Sequence, residues 1–440
     1  MKIFRYNDIT ERNALKKIIN SAVSRDSSAV KTASGIIKAV RKSGDKALFA
    51  FSKKYDKFRA NSGNLKVKQN ELDSALKKLP KNVISALKRA KTNIEKYHKK
   101  QLYKGYTYKT PFGKLKMRAV PVESAGVYIP GGKAVYPSSV LMNVIPAKLA
   151  GVKRIVMCTP AYKGKVSPAI LAAAKICGIS EIYKLGGAQA IAALAYGTES
   201  VKPVVKITGP GNMFVAAAKQ LVYGKVGIDS IAGPSEVLIV ATNGNNPEIV
   251  AADMLAQAEH DEEARSILVS DSMAFAGKVM MFLSFQKAFL SRKDIVDKSL
   301  RNSIIVIVDK IKDAIEVSNY IAPEHLELLA KEAVKDAKYY KNAGAVFLGE
   351  NSTVAYGDYI IGTNHVLPTS GAAKFSSPLG VYDFVKYQST AEITKNGVKI
   401  LAADLKTLAL TEGLDGHANS VAIRGAEGRR RRGAARTKRF

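Results

Sequence analysis

The hydrophobic pattern of this chain changes character along its length. Between residues 10 and about 105, apolar residues recur at helical spacing among many lysines, which predicts mostly helical structure. Beyond Gly131–Gly132, a turn signal, short apolar runs such as "RIVMC", "EIYKL" and "VVKIT" alternate with helical patterns such as "SPAILAAAKICG". Strands alternating with helices of this length are typical of parallel βαβ units. This region is therefore predicted to form a doubly wound α/β sheet.

A second alternating set begins at "SEVLIVA". A helix is predicted for 247–264, with Asn246 as its cap and Pro247 in its first turn, followed by strand "SILVS", a helix over 273–290 and strand "SIIVIV". After about residue 380, the pattern is a strand followed by helix, ending near Arg424. The pattern therefore predicts a second α/β domain and a C-terminal extension.

Composition adds a strong positive charge, formally +32 over 440 residues. Such a balance fits nucleic acid, acidic membranes or anionic ligands as partners, or a lysine-rich solvated surface. No RNA-stacking motif or helix-turn-helix pattern accompanies it. The final stretch "GAEGRRRRGAARTKRF" lacks apolar periodicity and is expected to be disordered, with a polyanion-binding arm as the alternative.

No secretory signal is visible at the N-terminus, and no apolar run reaches the ~18 residues that a membrane span needs. The two cysteines, Cys158 and Cys177, lie in apolar sequence and are expected to pack in a core under reducing conditions. We expect a cytoplasmic protein with no membrane partner.

Histidine stands beside other potential ligands or bases in four places. Gln257 and His260, in "LAQAEHDEEA", would project from one face of the predicted helix, as a metal-binding pair or as part of a polar surface. In "IAPEHLELL", Pro323 suits the first turn of a helix, which would place Glu324 and His325 at a helix N-terminus. Adjacent Glu and His there are candidates for two catalytic bases, or for an ordinary helix start.

The other two places are polar. Asp358 and His365 lie in "GDYIIGTNHVLPTSG", which is either a functional loop or a solvated one. Glu412 and His417 lie in "TEGLDGHANS", which also fits a terminal surface helix. The fifth histidine, His98, is expected on the surface of a lysine-rich helix.

A weak phosphate signal is present at "GPGN", residues 209–212. It has Gly-x-Gly at a predicted strand-to-helix turn but lacks the full GxGxxG pattern. The N-terminus of the following helix is a candidate contact for a phosphate or ribose.

Considered together, the motifs of this chain resemble those of the histidinol dehydrogenases. "VYIPGG", "KLGGAQAIAALAYGT", "KITGPGN", "AGPSEVLIVA", "LAQAEHD", "IAPEHLEL", "GDYIIGTNHVLPT" and "EGLDGHANS" occur in the family's order. The resemblance extends from about Ile18 to Arg424, and several long motifs in order are more specific than any one of them.

The resemblance implies a fold and a domain organisation. The fold is α/β, with two Rossmann-like doubly wound domains, a helical N-terminal segment and a C-terminal α+β extension. The chain would form a homodimer with shared active sites. The expected parts are an N-terminal helical arm (1–21), the first part of α/β domain 1 (22–127), the dinucleotide-binding α/β domain 2 (128–234), the second part of domain 1 (235–379), a C-terminal dimerisation segment (380–424) and the basic tail (425–440).

The resemblance also implies an activity, the NAD-dependent oxidation of L-histidinol through L-histidinal to L-histidine. The match to the family's motifs implies that Gln257, His260, Asp358 and His417 bind one Zn²⁺ per subunit. It implies that Glu324 and His325 are catalytic and that Ser235, His365 and Glu412 make further contacts with the substrate. The residues implied to bind the dinucleotide are Tyr128, Gln189 and Asn212. The substrate would contact the metal ligands and the catalytic pair as well. The other subunit would donate His417.

Two other classes of function compete with this interpretation. A zinc hydrolase would use the same Gln, His, Asp and His side chains with a glutamate base, but it would not require the βαβ region with "GPGN". A nucleic-acid-binding protein would use the positive charge, but its best feature, "RRRR", lies outside the predicted folded region. We therefore expect no nucleic-acid partner, with the role of the tail left open.

Overall fold

A computed structural model describes residues 1–23, 27–131, 135–231 and 233–425. The described chain forms two compact units. The first contains Met1–Leu102 and Val122–Phe384, and the second contains Tyr103–Pro121 and the chain from Val385 onward. The tail expected to be disordered lies outside the described residues from 426 onward.

Helices and strands follow one another in the predicted order through the two alternating sets up to residue 321. The N-terminal part contains β1 (Lys2–Arg5), α1 (Ile9–Val23), α2 (Ser27–Asp56), α3 (Gln69–Lys77), α4 (Lys81–Lys99), β2 (Tyr106–Thr110), β3 (Gly113–Pro121) and β4 (Ser124–Tyr128). The first alternating set contains α5 (Pro137–Ala150), β5 (Arg154–Thr159), α6 (Pro168–Ile176), β6 (Glu181–Lys184), α7 (Gly187–Tyr196), β7 (Lys206–Thr208), α8 (Met213–Val222) and β8 (Gly227–Ile228).

The second alternating set and the C-terminal part complete the chain. The second set contains β9 (Glu236–Val240), α9 (Pro247–Ala258), β10 (Arg265–Ser270), α10 (Met273–Lys287), α11 (Lys293–Asn302), β11 (Ile304–Ile307), α12 (Ala314–Ile321), β12 (His325–Leu328), α13 (Lys331–Lys335), β13 (Ala345–Leu348) and α14 (Val354–Tyr359). The C-terminal part contains β14 (Val385–Ile393), α15 (Lys395–Thr411) and α16 (Asp415–Ala422).

One sheet of the first unit has five parallel strands in the order β6-β5-β4-β7-β8. The strand order reverses direction between β4 and β7, which is the doubly wound arrangement. Helices α2, α7 and α8 share one apolar core with this sheet. The helical region predicted before residue 105 therefore packs in part against this sheet. The boundaries of the expected domains remain predictions.

The other sheet of the first unit has six parallel strands in the order β1-β11-β10-β9-β12-β13. Helices α1, α12 and α13 cover one face, and α9, α10 and α11 cover the other. Because both faces are buried, its strands are almost continuously apolar, as in "EVLIV" and "IIVI". The predicted α/β fold with two doubly wound sheets is confirmed. The N-terminal arm also contributes β1, which the sequence pattern did not predict, as an edge strand paired with β11.

The second unit consists of a three-stranded antiparallel sheet, β14-β3-β2, together with α15 and α16. The predicted strand-then-helix order after residue 380 is confirmed. Helix α15 begins against the turn between β2 and β3. A Cβ atom at Gly397 would lie 1.9 Å from the carbonyl oxygen of Phe112, so only glycine permits this approach.

Two local predictions around the candidate site are wrong. The helix predicted for 247–264 ends at Ala258, because the Asp261 side chain accepts a hydrogen bond from the N–H of Glu263 and forms a turn. His260 therefore lies beyond the helix that carries Gln257. Glu324 and His325 are not at a helix N-terminus, because α12 ends before them and "HLEL" forms the buried strand β12 between β9 and β13.

The prediction for His98 is also wrong, since this side chain is fully buried in α4. Its Nδ1 lies 2.8 Å from Gln101 Oε1, and its Nε2 lies 3.4 Å from Asn364 Nδ2. Burial lowers the pKa of His98. The prediction that Cys158 and Cys177 are buried core residues is confirmed. Among the helices of the described chain, none is long and apolar enough to cross a bilayer.

Candidate active site

The edge of the six-stranded sheet at which its strands begin brings together most of the predicted residues. Ser235 and Glu324 directly precede the neighbouring strands β9 and β12, and His325 begins β12. Helix α9 lies between the parallel strands β9 and β10 and therefore runs back from the opposite edge, and α14 follows β13, the last strand of this sheet in the sequence. They return Gln257 and Asp358 to the edge where the strands begin. Residues distant in sequence therefore meet there.

Asp358 is buried and lies close to three histidines, of which His325 is buried and His260 is partly exposed. Its Oδ1 lies 3.7 Å from His325 Nε2 and 4.0 Å from His365 Nδ1, and its Oδ2 lies 3.9 Å from His260 Nε2. Burial alone would raise the pKa of Asp358, but the histidines, His325 above all, hold it below its usual value. Asp358 is thus an ionised carboxylate among nitrogen ligands.

Glu324 and His325 form a second buried contact. Glu324 Oε2 lies 3.7 Å from His325 Nδ1 and accepts a hydrogen bond of 3.0 Å from the N–H of Glu236. Burial raises the pKa of Glu324 to about 7. Burial would lower the pKa of His325, but Glu324 and then Asp358 raise it to about 9. A carboxyl group that titrates near neutral pH is suited to proton transfer.

Gln257 has the feature most indicative of a missing ligand. Its side chain is 3% exposed, and neither of its terminal atoms has a hydrogen-bond partner among the described residues. Buried polar atoms almost always have partners. Burial lowers the pKa of His260, which favours the neutral imidazole that binds metals. Gln257, His260 and Asp358 thus offer oxygen and nitrogen donors suited to a divalent metal.

Among the described residues, no three His, Cys, Asp or Glu side chains are grouped so that they could hold a metal ion. Glutamine is not among those residue types, and the remaining predicted ligand, His417, belongs to the second unit.

Glu412 and His417 are both exposed on the second unit. Glu412 caps the C-terminus of α15, and His417 lies in α16. They line a groove of about 440 Å³ together with several leucines. Those leucines are Leu401, Leu405, Leu408 and Leu414. An exposed surface of this composition is typical of a protein–protein contact.

The sequence analysis missed Ser139, in the first turn of α5. Its hydroxyl lies 3.3 Å from His365 Nε2. Helix α5 follows β4 and so begins at the edge of the five-stranded sheet where the strands end. The contact therefore connects this edge with the histidine cluster. The only signal in the sequence is the position of Ser139 soon after the turn at Gly131. The sequence analysis also missed Arg265, whose Nη2 lies 3.0 Å from Oε2 of the buried Glu236.

The residues predicted to contact the dinucleotide lie where strands of the five-stranded sheet end. Tyr128 ends β4, and its hydroxyl accepts a hydrogen bond of 3.0 Å from the N–H of Gly187. Gln189 is buried in the first turn of α7. Asn212 caps α8, because its Oδ1 accepts hydrogen bonds from the N–H groups of Phe214 and Val215. Ligands of doubly wound sheets commonly bind at this edge.

The turn before Asn212 requires glycine. Gly209 has a φ of +115°, and a Cβ there would lie 2.1 Å from the carbonyl oxygen of Tyr128. The buried Lys219 donates a hydrogen bond of 2.9 Å to the Gly209 carbonyl and is paired with Asp229. Asp229 in turn accepts a hydrogen bond of 2.8 Å from the Gly209 N–H. One ion pair thus fixes both polar groups of Gly209.

Comparison with known proteins relates these features to one family. The family model described as histidinol dehydrogenase matches residues 20–425. The chain is 48% identical to the histidinol dehydrogenase of Clostridium acetobutylicum over 90% of this chain and 92% of that one. It is also 48% identical to that of Agrobacterium fabrum over 91% and 93%. The crystal structure of the histidinol dehydrogenase from Elizabethkingia anophelis superposes with a TM-score of 0.89 at 36% identity, covering 96% of this chain and 98% of that one.

Proposed function

Since the chain belongs to the histidinol dehydrogenase family, oxidoreductases of histidine biosynthesis, we propose a division of labour among its residues in a two-step, NAD-dependent oxidation. L-histidinol is oxidised to L-histidinal and then to L-histidine, in the cytoplasm. The observation that carries this proposal is the contact of the buried Asp358 with three histidines, together with the unpartnered side chain of Gln257, whose backbone carbonyl accepts a hydrogen bond of 3.3 Å from the N–H of His260.

Gln257, His260, Asp358 and His417 hold one Zn²⁺. The oxygen and nitrogen donors fit this ion, and the unsatisfied amide of Gln257 is explained by it. When bound, the ion orients the imidazole and amine of the substrate and polarises its oxygen. Ser235, His365 and Glu412 make the further polar contacts with the substrate.

His325 accepts the proton of the substrate hydroxyl in the first step, as the adjacent carbon transfers a hydride to NAD⁺. The products are the aldehyde, NADH and one proton. A base must be neutral to act, whereas Glu324 and Asp358 favour the protonated form of His325. With a cation bound, the charge of Asp358 would be neutralised and would no longer favour the protonated form of His325.

Glu324 acts in the second step, which consumes water. Its carboxylate takes a proton from the water that adds to the aldehyde carbon, and the resulting hydrate transfers its hydride to a second NAD⁺. A pKa of about 7 makes Glu324 a base near working pH, and each such base contributes about 10²–10⁴-fold in rate. The adjacent Glu236 N–H holds the Glu324 carboxylate in place.

Tyr128, Gln189 and Asn212 bind the dinucleotide where β4 and β7 end and α7 begins. The contact between Ser139 and His365 supports this placement, because it brings α5 of that sheet to the substrate cluster. A hydride donor and acceptor must lie next to each other, and this contact provides the adjacency.

The active enzyme is a homodimer in which one subunit donates His417 to the site of the other. The support is that His417 lies on the second unit beside an exposed apolar groove, whereas the other ligands lie on the first. Burial of such a surface stabilises association.

A direct assay tests the proposal. Purified protein is mixed with L-histidinol and NAD, with and without a chelator, and NADH is followed by absorbance. We expect two NADH for each histidinol consumed and loss of turnover on chelation, restored by Zn²⁺. Consumption of substrate without NADH formation would favour the zinc hydrolase instead.

A further inference from the structure

The N-terminus of α14, the short helix that carries Asp358, is held by a residue of β12. The N–H of Val354, its first residue, donates a hydrogen bond of 2.8 Å to Glu327 Oε1. Glu327 is fully buried and lies two residues after His325, on the same face of the strand. It supplies the acceptor that a capping side chain usually provides, since Thr353 at the cap makes no such bond.

A second hydrogen bond ties the same terminus to α9. The hydroxyl of Thr353 donates to Asp253 Oδ1 at 2.7 Å. Asp253 lies one turn before Gln257 on α9 and so on the same helix face. The start of α14 is therefore attached both to the strand of His325 and to the helix of Gln257.

Glu327 on β12 and Asp253 on α9 therefore hold the same helix start from two different elements. Glu327 Oε2 is buried and has no donor from another described residue. Burial first, and the charge of Asp253 second, raise the pKa of Glu327 to about 8.

We propose that Glu327 and Asp253 are positioning residues, two carboxyl groups on β12 and α9 that fix the start of α14 and thereby the placement of the Asp358 carboxylate. The inference rests on the proposed function, because it takes Asp358 as a metal ligand. Asp358 lies one helical turn after Val354, in a helix of 6 residues. The helix is also pressed against β13 at Gly357, where a Cβ would lie 2.6 Å from Phe347 Cζ. A shift at the start of α14 is therefore passed to the carboxylate.

The test compares two substitutions of Glu327 by their Zn²⁺ affinity, measured at equilibrium by competition with a chelator. Glu327→Leu leaves the Val354 N–H without its acceptor, while Asp253 keeps the Thr353 hydroxyl as a donor. Loss of a residue that orients a metal ligand typically weakens metal binding about 10–100-fold, and we expect this range. Glu327→Gln keeps an acceptor for the Val354 N–H, so it should bind Zn²⁺ as the unmodified chain does. Amide exchange at Val354 should accelerate only in Glu327→Leu.

Two further variants complete the design. Leu328→Ala loses apolar packing on the opposite face of β12, without touching α14, and should retain its Zn²⁺ affinity. Thr353→Val removes only the bond to Asp253 and should weaken Zn²⁺ binding by a smaller factor than Glu327→Leu does. This variant tests the inference if Glu327→Leu does not fold.

If Glu327→Leu folds and its Zn²⁺ affinity is unchanged, this inference is wrong, while the proposed metal site stands. If Glu327→Leu does not fold, unchanged Zn²⁺ affinity in Thr353→Val has the same meaning. Glu327→Gln binding as weakly as Glu327→Leu would also overturn the inference. If the unmodified chain bound no Zn²⁺, both the metal site and this inference would be wrong.

Discussion

Replacement of Lys219 by methionine should be among the most damaging single changes to the five-stranded sheet. The Lys219 side chain is 2% exposed, and its partner Asp229 is 4% exposed. Methionine fills a similar volume but leaves the Asp229 carboxylate buried without a cation and the Gly209 carbonyl without its donor. Removing one partner of a buried ion pair costs about 3–5 kcal/mol. We expect a loss of this size in the free energy of unfolding.

Urea unfolding measures the loss. With an m value of about 3 kcal/mol/M, the midpoint should fall by about 1 M or more. The double variant Lys219→Met with Asp229→Asn should recover much of the difference, because the buried charge is gone while the amide oxygen still accepts from Gly209. Lys225→Met, at a nearby exposed lysine, should change stability by no more than about 0.5 kcal/mol.

The same substitution should raise the KM for NAD more than the KM for histidinol, because Gly209 belongs to the turn that precedes Asn212. The reasoning would be refuted if Lys219→Met lost less than about 1 kcal/mol. It would equally be refuted if the double variant were no more stable than the single one, since the cost would then not come from the unpaired carboxylate.

Three further predictions concern the site itself. His260→Asn should lose bound metal as well as turnover, and full occupancy by elemental analysis would remove His260 from the ligand set. Glu324→Gln should slow the oxidation of histidinal more than that of histidinol, and a normal histidinal rate would exclude water activation by Glu324. Inactive His417→Ala and Glu324→Ala chains, refolded together, should form heterodimers with one intact site and up to about half-normal activity. Verified heterodimers no more active than their parents would reject the shared site.

The apolar periodicity of the sequence by itself determined the type and order of most elements. Strands such as "VLIV" and "IIVI" are apolar throughout because helices cover both of their faces, and caps such as Asn246 and Asn212 mark where helices begin. Local patterns were sufficient wherever one element buries a regular face. The family motifs named candidate site residues without giving their arrangement in space.

Where local sequence is ambiguous, only the tertiary structure decided. "HLEL" resembles a helix start after Pro323, but its place between β9 and β13 makes it a strand. His98 stands among lysines, yet contacts with Gln101 and Asn364 bury it.

Proximity between distant residues was likewise invisible in the sequence. Strand β12 and helix α14 bring Asp358 within 4 Å of His325, and the fold places Ser139 against His365. The physical reason is that parallel strands all begin at one edge and the helices between them return to it, so the order of the strands sets which side chains meet there. The order of the strands depends on packing between elements far apart in the chain, and no single stretch of the sequence contains it.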